Sequence, residues 1–178
     1  GGWPYNIKKD SLSIKGFNDI VCPGDITCEC IDNNDCNNKN CKKYPRGSFC
    51  NPTIGSKLPR FKMIDQYGDD VDIYDFADQG KYILIELSAT WCAPCRQLAS
   101  WLTFNDLSIM DQPWWEHDFL KLKPWLEDGK FIMINIQYSD DYRQNASLAS
   151  IQDWYSEYPH DIVPILADTN KLLHTWIK

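Results

Sequence analysis

The sequence lacks a hydrophobic run long enough to cross a membrane. Its longest apolar stretch, residues 82–85, is followed at once by Glu86, whereas a membrane-spanning helix needs about 20 predominantly apolar residues. Positive charge is also scarce, because 18 Lys and Arg stand against 25 Asp and Glu and leave a formal net charge of −7. A nucleic-acid-binding surface needs a basic face. We therefore expect neither a membrane-spanning segment nor a nucleic-acid partner.

Cysteine, by contrast, is abundant and unevenly placed. The segment 22–50 is rich in Asn, Asp and Lys, and too poor in aliphatic residues to fold by burying apolar area. We expect its six cysteines to form structural disulfides of undetermined connectivity: Cys22, Cys28, Cys30, Cys36, Cys41 and Cys50. Disulfides persist in oxidising compartments, which predicts an extracytoplasmic protein, whether secreted, periplasmic or lumenal.

Metal binding by this segment is the less favoured interpretation. Cys28 and Cys30 are spaced too closely for the usual chelating pair of a zinc site. Residues 32–35 offer hard oxygen ligands for calcium, but they lack the glycine and the closing glutamate of an EF-hand loop. We predict no metal site, and whether residues 32–35 bind calcium stays open.

The composition and hydrophobic pattern along the chain predict four parts. Residues 1–21 are an irregular lead-in, 22–50 the cysteine-rich segment, 51–57 a linker, and 58–178 an α/β domain. Within that domain we expect a β-hairpin at 61–73, a central buried strand at 81–87, and a helix at 93–104. A helix at 119–129, bent near Pro124, a strand at 130–138 and a helix at 146–158 follow. Two strands, at 164–168 and 171–178, then form a closing hairpin. Alternating strands and helices imply a parallel βαβ unit.

The remaining cysteines, Cys92 and Cys95, have the spacing of a redox pair. They follow the predicted strand at the start of a helix, where free backbone N–H groups and the helix dipole favour thiolate. One turn of helix brings the two sulfurs together, and Pro94 stiffens the connection. This predicts Cys92 as the exposed nucleophile and Cys95 as the resolving thiol. A permanent structural disulfide and a metal clip are weaker alternatives.

The stretch Trp91-Cys92-Ala93-Pro94-Cys95 resembles the active site of the thioredoxin superfamily. More narrowly, residues 58–178 are similar to the redoxin and TlpA-like extracytoplasmic thiol–disulfide oxidoreductases. The resemblance implies a thioredoxin-like fold, a central mixed sheet flanked by helices, with an N-terminal β-hairpin and the disulfide-rich segment before it. It also implies that protein thiols and disulfides are the substrates and that an upstream redox partner exists. No cofactor is expected beyond the Cys92–Cys95 disulfide.

The same resemblance assigns further residues. Glu86, six residues before Cys92, matches the buried acid that assists proton transfer at the resolving cysteine. Its alternative role is a partly exposed glutamate in a salt bridge. Val163-Pro164 matches the cis-proline loop that pairs with the substrate backbone, and Trp91, Ala93 and Pro94 complete the expected substrate-binding surface.

Two features depart from the family pattern. The sequence ends just after 171–178, where thioredoxins carry a further helix, so the C-terminal helix is expected to be absent. The long connection between Cys95 and residue 130 carries Trp114, Trp115 and Trp125, which we expect to form a wall beside the site.

Other functions remain as alternatives. The chain could be an adhesion or interaction protein that uses the redoxin domain as a scaffold and the cysteine-rich segment for binding. A peroxidase is disfavoured, because Ala89 occupies the position where that class carries a threonine or serine. A copper chaperone would need wider cysteine spacing and a histidine such as His160 or His174. Substrate identity, direction of electron flow and oligomeric state are not readable from the sequence.

Overall fold

The computed structural model of the chain describes residues 2–12 and 14–177. Seven strands lie in these ranges: β1 (Cys41–Tyr44), β2 (Gly47–Cys50), β3 (Lys62–Asp65), β4 (Asp70–Asp72), β5 (Tyr82–Ala89), β6 (Phe131–Ser139) and β7 (Ile165–Ala167). The α-helices are α1 (Ala93–Phe104), α2 (Leu122–Glu127), α3 (Leu148–Glu157) and α4 (Leu172–Trp176). No helix in the described ranges is both long and apolar enough to span a membrane.

The chain divides into two compact units that are not continuous in sequence. One, the sheet unit, comprises residues 2–9 and 62–170, and the other, the cysteine-rich unit, comprises 10–12, 14–61 and 171–177. This grouping differs from the sequence-based division, because the first residues pack with the sheet unit. The Trp3 Nε1–H donates to Asp65 at 2.7 Å, and Lys9 forms an ion pair with Asp75.

The sheet unit contains a five-stranded mixed sheet in the order β4-β3-β7-β6-β5. Strands β5, β6 and β7 are parallel, whereas β3 runs antiparallel to both β4 and β7. The hairpin β3–β4 forms around the predicted turn at Gly68, whose φ of +90° suits glycine. The fold class predicted from the sequence is confirmed: α/β, with a mixed sheet flanked by helices, an N-terminal hairpin and a disulfide-rich segment.

Two apolar clusters hold the helices against this sheet. Trp101 and Leu102 of α1 pack with Leu126 of α2 and Met133 of β6. Ile151 and Trp154 of α3 pack with Ile165 and Ala167 of β7. Because Ile151 and Trp154 are three residues apart, they share one face of α3, and full burial of each such side chain contributes roughly 1.5–3 kcal/mol.

Two secondary-structure predictions are wrong. β5 is an edge strand rather than a central one, because its only strand partner in the described ranges is β6. Its first residues are consequently exposed, with Tyr82 at 89% and Leu84 at 43%. Residues 172–176 form helix α4 instead of a closing strand. The antiparallel edge of the sheet is therefore supplied by the hairpin β3–β4, which comes before β5 in the chain.

The cysteine-rich unit is held by three disulfides, as the composition predicts. They join Cys22 to Cys28, Cys30 to Cys41 and Cys36 to Cys50. Strands β1 and β2 form an antiparallel hairpin in which Cys41 lies opposite Cys50, so two of the disulfides anchor the same end of the hairpin.

The acidic run in this unit has a structural use. The carboxylate of Asp32 accepts from the Asn34 N–H, and that of Asp35 accepts from the N–H groups of Ile31 and Asp32. These bonds cap a short 3-10 turn at Asn33–Asp35. The carboxylates thus satisfy backbone donors in the described structure, and calcium binding by residues 32–35 stays untested.

Candidate active site

The cysteine pair lies where β5 turns into α1. Cys92 is the N-cap residue of α1, and its sulfur accepts a hydrogen bond from the Cys95 N–H at 3.3 Å. Cys92 and Cys95 form a disulfide with their Cα atoms 5.2 Å apart. Pro94 occupies the first turn of the helix, where its missing N–H costs no helical hydrogen bond. The predicted strand–turn–helix setting of the pair is therefore present.

The two sulfurs have different surroundings. Ala93 and Pro94 are exposed, and Cys92 is half-buried beside them. Cys95 is also half-buried, but it packs against the cluster formed by α3 and β7. On reduction, the free N–H groups and dipole at the start of α1 would stabilise a thiolate on Cys92. This arrangement offers one sulfur to a partner and holds the other against the core.

An aromatic residue forms the rim beside Cys92. The ring of Trp91 remains 37% exposed, and its Nε1–H donates to the Ser139 hydroxyl at 3.3 Å. The Arg143 guanidinium lies 4.1 Å from the ring centroid, a geometry that favours a cation–π interaction. Tyr138 contacts the ring edge-to-face. Trp91 is thus fixed in place while part of its surface stays accessible.

Glu86 lies on β5 beneath this helix. It faces a cavity that is also lined by Ala99 and Leu102 of α1. The Asn135 side-chain NH₂ donates to Glu86 Oε2 at 2.7 Å. Burial raises the pKa of Glu86 to about 7, and the bond from Asn135 opposes the shift only in part. A carboxyl with this pKa can give or take a proton at neutral pH.

Glu86 belongs to a polar network that the sequence analysis missed. Ser88 lies two residues further along β5, and the Asn135 NH₂ also donates to its hydroxyl at 3.2 Å. The Gln137 NH₂ in turn donates to Asn135 Oδ1 at 2.9 Å. The sequence signal was the alternation of polar Asn135 and Gln137 within an otherwise apolar strand, in register with Glu86 and Ser88.

A charged contact ties the active-site helix to α3. Arg96, next to Cys95, bonds both carboxylate oxygens of Glu157, at 2.7 and 2.8 Å, and donates to the Thr90 carbonyl at 2.8 Å. Its guanidinium also lies 5.9 Å from the Trp154 ring centroid. Arg96 Nη2 thus donates to both Glu157 oxygens while Nη1 donates to Thr90, and this links α3 to the turn that carries the cysteines.

The expected cis-proline loop is not found at Val163-Pro164. The one cis peptide bond within the described ranges joins Cys22 to Pro23. Val163 is 4% exposed and Pro164 less than 2%, and the Pro164 carbonyl accepts from the Asn135 N–H at 3.0 Å within the sheet. Val163-Pro164 therefore departs from the cis-proline geometry that the resemblance implies, and its role in substrate binding stays a prediction.

Of the tryptophans in the long connection, Trp114 and Trp115 lie beside α1, whereas Trp125 lies beside β5 and the start of β6. Trp115 contacts Trp101 edge-to-face with ring centroids 5.2 Å apart and belongs to the cluster with Leu126. Trp114 and Trp125 are 47% and 43% exposed. The contacts on α1 are to residues 98–102, beyond the turn that carries the cysteines. Trp114 and Trp115 support the helix, and the role of all three tryptophans as a wall beside the site stays a prediction.

The two histidines considered for metal binding lie in different units. His160 precedes β7 in the sheet unit, whereas His174 is on α4 in the cysteine-rich unit. His160 lines the same cavity as Glu86, on the inner side of α1. The copper-chaperone alternative gains no ligand set from this placement.

Comparison with known proteins gives distant structural likeness. No family model matches the sequence, and no curated protein matches it. A candidate protein disulfide isomerase from Bacteroides thetaiotaomicron is 16% identical with a TM-score of 0.45, over 69% of this chain and 63% of that one. The thioredoxin domain of a thiol–disulfide oxidoreductase from Bacteroides vulgatus is 20% identical with a TM-score of 0.44, over 68% and 71%.

A thiol peroxidase from Chromobacterium violaceum is also similar, at 17% identity and a TM-score of 0.38, over 76% of this chain and 66% of that one. The chain spans less than two thirds of the length of the disulfide isomerase structure.

Proposed function

We propose that this chain is a thiol–disulfide oxidoreductase that exchanges disulfides with protein substrates outside the cytosol. The observation that carries the proposal is the Cys92–Cys95 disulfide at the start of α1, together with Glu86 on the strand that leads into this turn, whose pKa is raised to about 7. A structural disulfide needs neither a helix N-terminus nor a titrating acid on the adjoining strand. Thiol–disulfide exchange uses both.

The proposed reaction begins with the reduced pair. The Cys92 thiolate attacks one sulfur of a substrate disulfide, and the other substrate sulfur leaves as a thiolate. Cys95 then gives its proton to the Glu86 carboxylate and attacks Cys92 Sγ. The bond between the Cys95 and Cys92 sulfurs forms, the bond to the substrate breaks, and the substrate leaves reduced by two electrons. Run in reverse, the same steps oxidise a dithiol.

Trp91, Ala93 and Pro94 provide the exposed surface around Cys92 on which a substrate would lie. A reductase of this kind also needs an upstream redox partner to restore its thiols. The oxidising compartment is supported by the three further disulfides of the cysteine-rich unit.

Insulin-disulfide reduction with dithiothreitol tests the proposal. We expect turnover by the wild type, loss of turnover in Cys92→Ser, and a trapped mixed disulfide in Cys95→Ser, detected by mass spectrometry. Cys22→Ser with Cys28→Ser is the matched control, because it removes a disulfide outside the site. Equal rates for the wild type and Cys92→Ser on insulin and on other protein disulfides would sink the proposal.

A second function is favoured by the surface of the cysteine-rich unit. Val21, Ile31 and Ile54 are 64%, 94% and 107% exposed there, and such residues are costly to leave in water. An interaction module would use them to bind a partner, with the redoxin fold as its scaffold. Partner binding would then survive Cys92→Ser and fail in Ile31→Asp, and the Cys92–Cys95 disulfide would resist reduction in a differential alkylation experiment.

A further inference from the structure

A small cavity beneath α1 connects Glu86 to a histidine that the mechanism does not use. Its volume is about 20 Å³, and His160, Thr103 and Asn135 are among the residues that line it with Glu86. A space of this size holds one water molecule, and a buried water needs two to four polar partners. Glu86 and His160 supply two, since the Asn135 amide is already bonded to Glu86, Ser88 and Gln137.

The His160 ring has a buried nitrogen without a hydrogen-bond partner. Its Nδ1 atom is buried and lacks a hydrogen-bond partner among the described residues, while the residue as a whole is half-buried. Buried polar atoms in folded proteins are nearly always hydrogen-bonded to protein or to ordered water. A water in the cavity that both residues line would give Nδ1 a partner on the side shared with Glu86.

We propose that His160 is a positioning residue that shares a proton with Glu86 through one water molecule held in this cavity. The imidazole is partly open to solvent on one side and faces the cavity on the other. It therefore gives the buried carboxyl a route for proton exchange with the solvent. The role of this route in disulfide exchange rests on the proposed function, whereas the sharing of the proton does not.

When Cys95 attacks Cys92, the Cys95 proton passes to Glu86, so that an O–H bond forms as the S–H bond breaks. Glu86 then gives this proton to the water, the water gives one of its own to Nδ1, and the imidazole releases the proton from Nε2 to solvent. The carboxylate is restored, and the ring returns to its first tautomer when the Cys92–Cys95 disulfide is reduced again and the protons move in the opposite direction.

The charged groups around His160 are consistent with a neutral ring at pH 7. Burial lowers the pKa of His160, and Lys123 on α2 lowers it further, while Asp161 and Glu127 act in the opposite direction. Lys123 is itself engaged with the Asn105 side chain at 2.6 Å. Tyr158 also lines the cavity, and its hydroxyl donates to Glu157 at 2.8 Å. A neutral imidazole can accept from the water at the pH where Glu86 titrates.

Proton NMR titration of the histidine ring tests the sharing directly. The chain has three histidines, so His117→Gln and His174→Gln assign the His160 signal. We expect that signal to show two inflections in the wild type, its own below pH 6.5 and another near pH 7 from Glu86. The second inflection should vanish in Glu86→Gln, whereas the signal of the exposed His117 should be the same in both proteins. A single His160 inflection that Glu86→Gln leaves unchanged overturns the proposal.

A kinetic measurement provides the second readout. The rate of reduction of the Cys92–Cys95 disulfide by dithiothreitol is measured as a function of pH. For each protein, the rate is divided by the rate of the same protein that also carries Glu86→Gln, at the same pH. This ratio removes the effect of the ionisation of dithiothreitol. His160→Phe fills the cavity and increases the desolvation of Glu86. We therefore expect the midpoint of the pH–rate profile to move up from near pH 7 by about one pH unit, because burial raises the pKa of a carboxyl.

His117→Phe is the control and should leave the midpoint in place. If His160→Phe also leaves the midpoint in place, the proposal is overturned. His160→Gln, which keeps a polar side chain, covers the case in which His160→Phe does not fold, and a smaller upward shift is expected from it. If the NMR and kinetic results are as expected but the protein does not act on protein disulfides, the proposed function is contradicted and the proposal that His160 shares a proton with Glu86 stands.

Discussion

Replacement of Glu86 by Gln should stabilise the protein at alkaline pH. The ordinary pKa of 4.5 for Glu86 is raised to about 7 in the folded state by burial. Between these two values the folded protein holds more protons than the unfolded chain, so stability falls as pH rises through this window. At 1.36 kcal/mol per pKa unit, the ionised carboxylate costs about 3 kcal/mol above pH 7.

Glutamine removes this cost and keeps an acceptor for the Asn135 NH₂. We therefore expect Glu86→Gln to match the wild type near pH 4.5 and to exceed its stability by up to about 3 kcal/mol at pH 8. Guanidinium unfolding at pH 4.5, 6, 7 and 8, followed by tryptophan fluorescence, measures the difference. Glu116→Gln removes an exposed carboxyl of the same unit and controls for the change in net charge. Parallel stability curves for Glu86→Gln and the wild type across this range would refute the reasoning.

Two further changes test other contacts. Arg96→Ala removes the ion pair with Glu157. Because both side chains are partly exposed, we expect the free energy of unfolding to fall by about 1 kcal/mol, measured by chemical unfolding with Glu157→Gln for comparison. An unchanged free energy would show that the pair does not hold the two helices. The double variant Cys36→Ala with Cys50→Ala removes a disulfide with a sequence separation of 14. We expect it to lower the stability of the cysteine-rich unit by about 3 kcal/mol, seen as a lower melting temperature when the amide NMR signals of this unit are followed. An unchanged melting temperature would mean that the other two disulfides are enough to hold the unit.

The site was more predictable from the sequence than its supporting strands. The short spacing of Cys92 and Cys95 before an amphipathic helix is a local pattern, and local patterns survive folding. Glu86 was assigned by the resemblance as a buried acid; in the structure it lines the cavity beneath α1, and its part in proton transfer stays a proposal. Asn135 was missed because its role depends on its register opposite Glu86, which is a property of two strands rather than one.

The errors share a cause in long-range pairing. The apolar run 81–87 predicts burial on both sides, but the number of strand neighbours is set by the rest of the chain, and β5 has only β6. Residues 172–176 mix apolar and polar side chains in an order that suits a short helix as well as a strand. Disulfide connectivity was likewise open, since six cysteines permit many pairings.

The interleaving of the two units limits how this protein can be dissected. The chain passes from one unit to the other at residues 9–10, 61–62 and 170–171, so neither unit is a continuous stretch of polypeptide. Fragments cut at 21/22, 50/51 or 57/58 would strip residues from the unit they belong to, and protease nicks at a single boundary would leave both units attached. Domain-deletion experiments would therefore confuse loss of folding with loss of function, and single substitutions are the cleaner way to assign roles to the two parts.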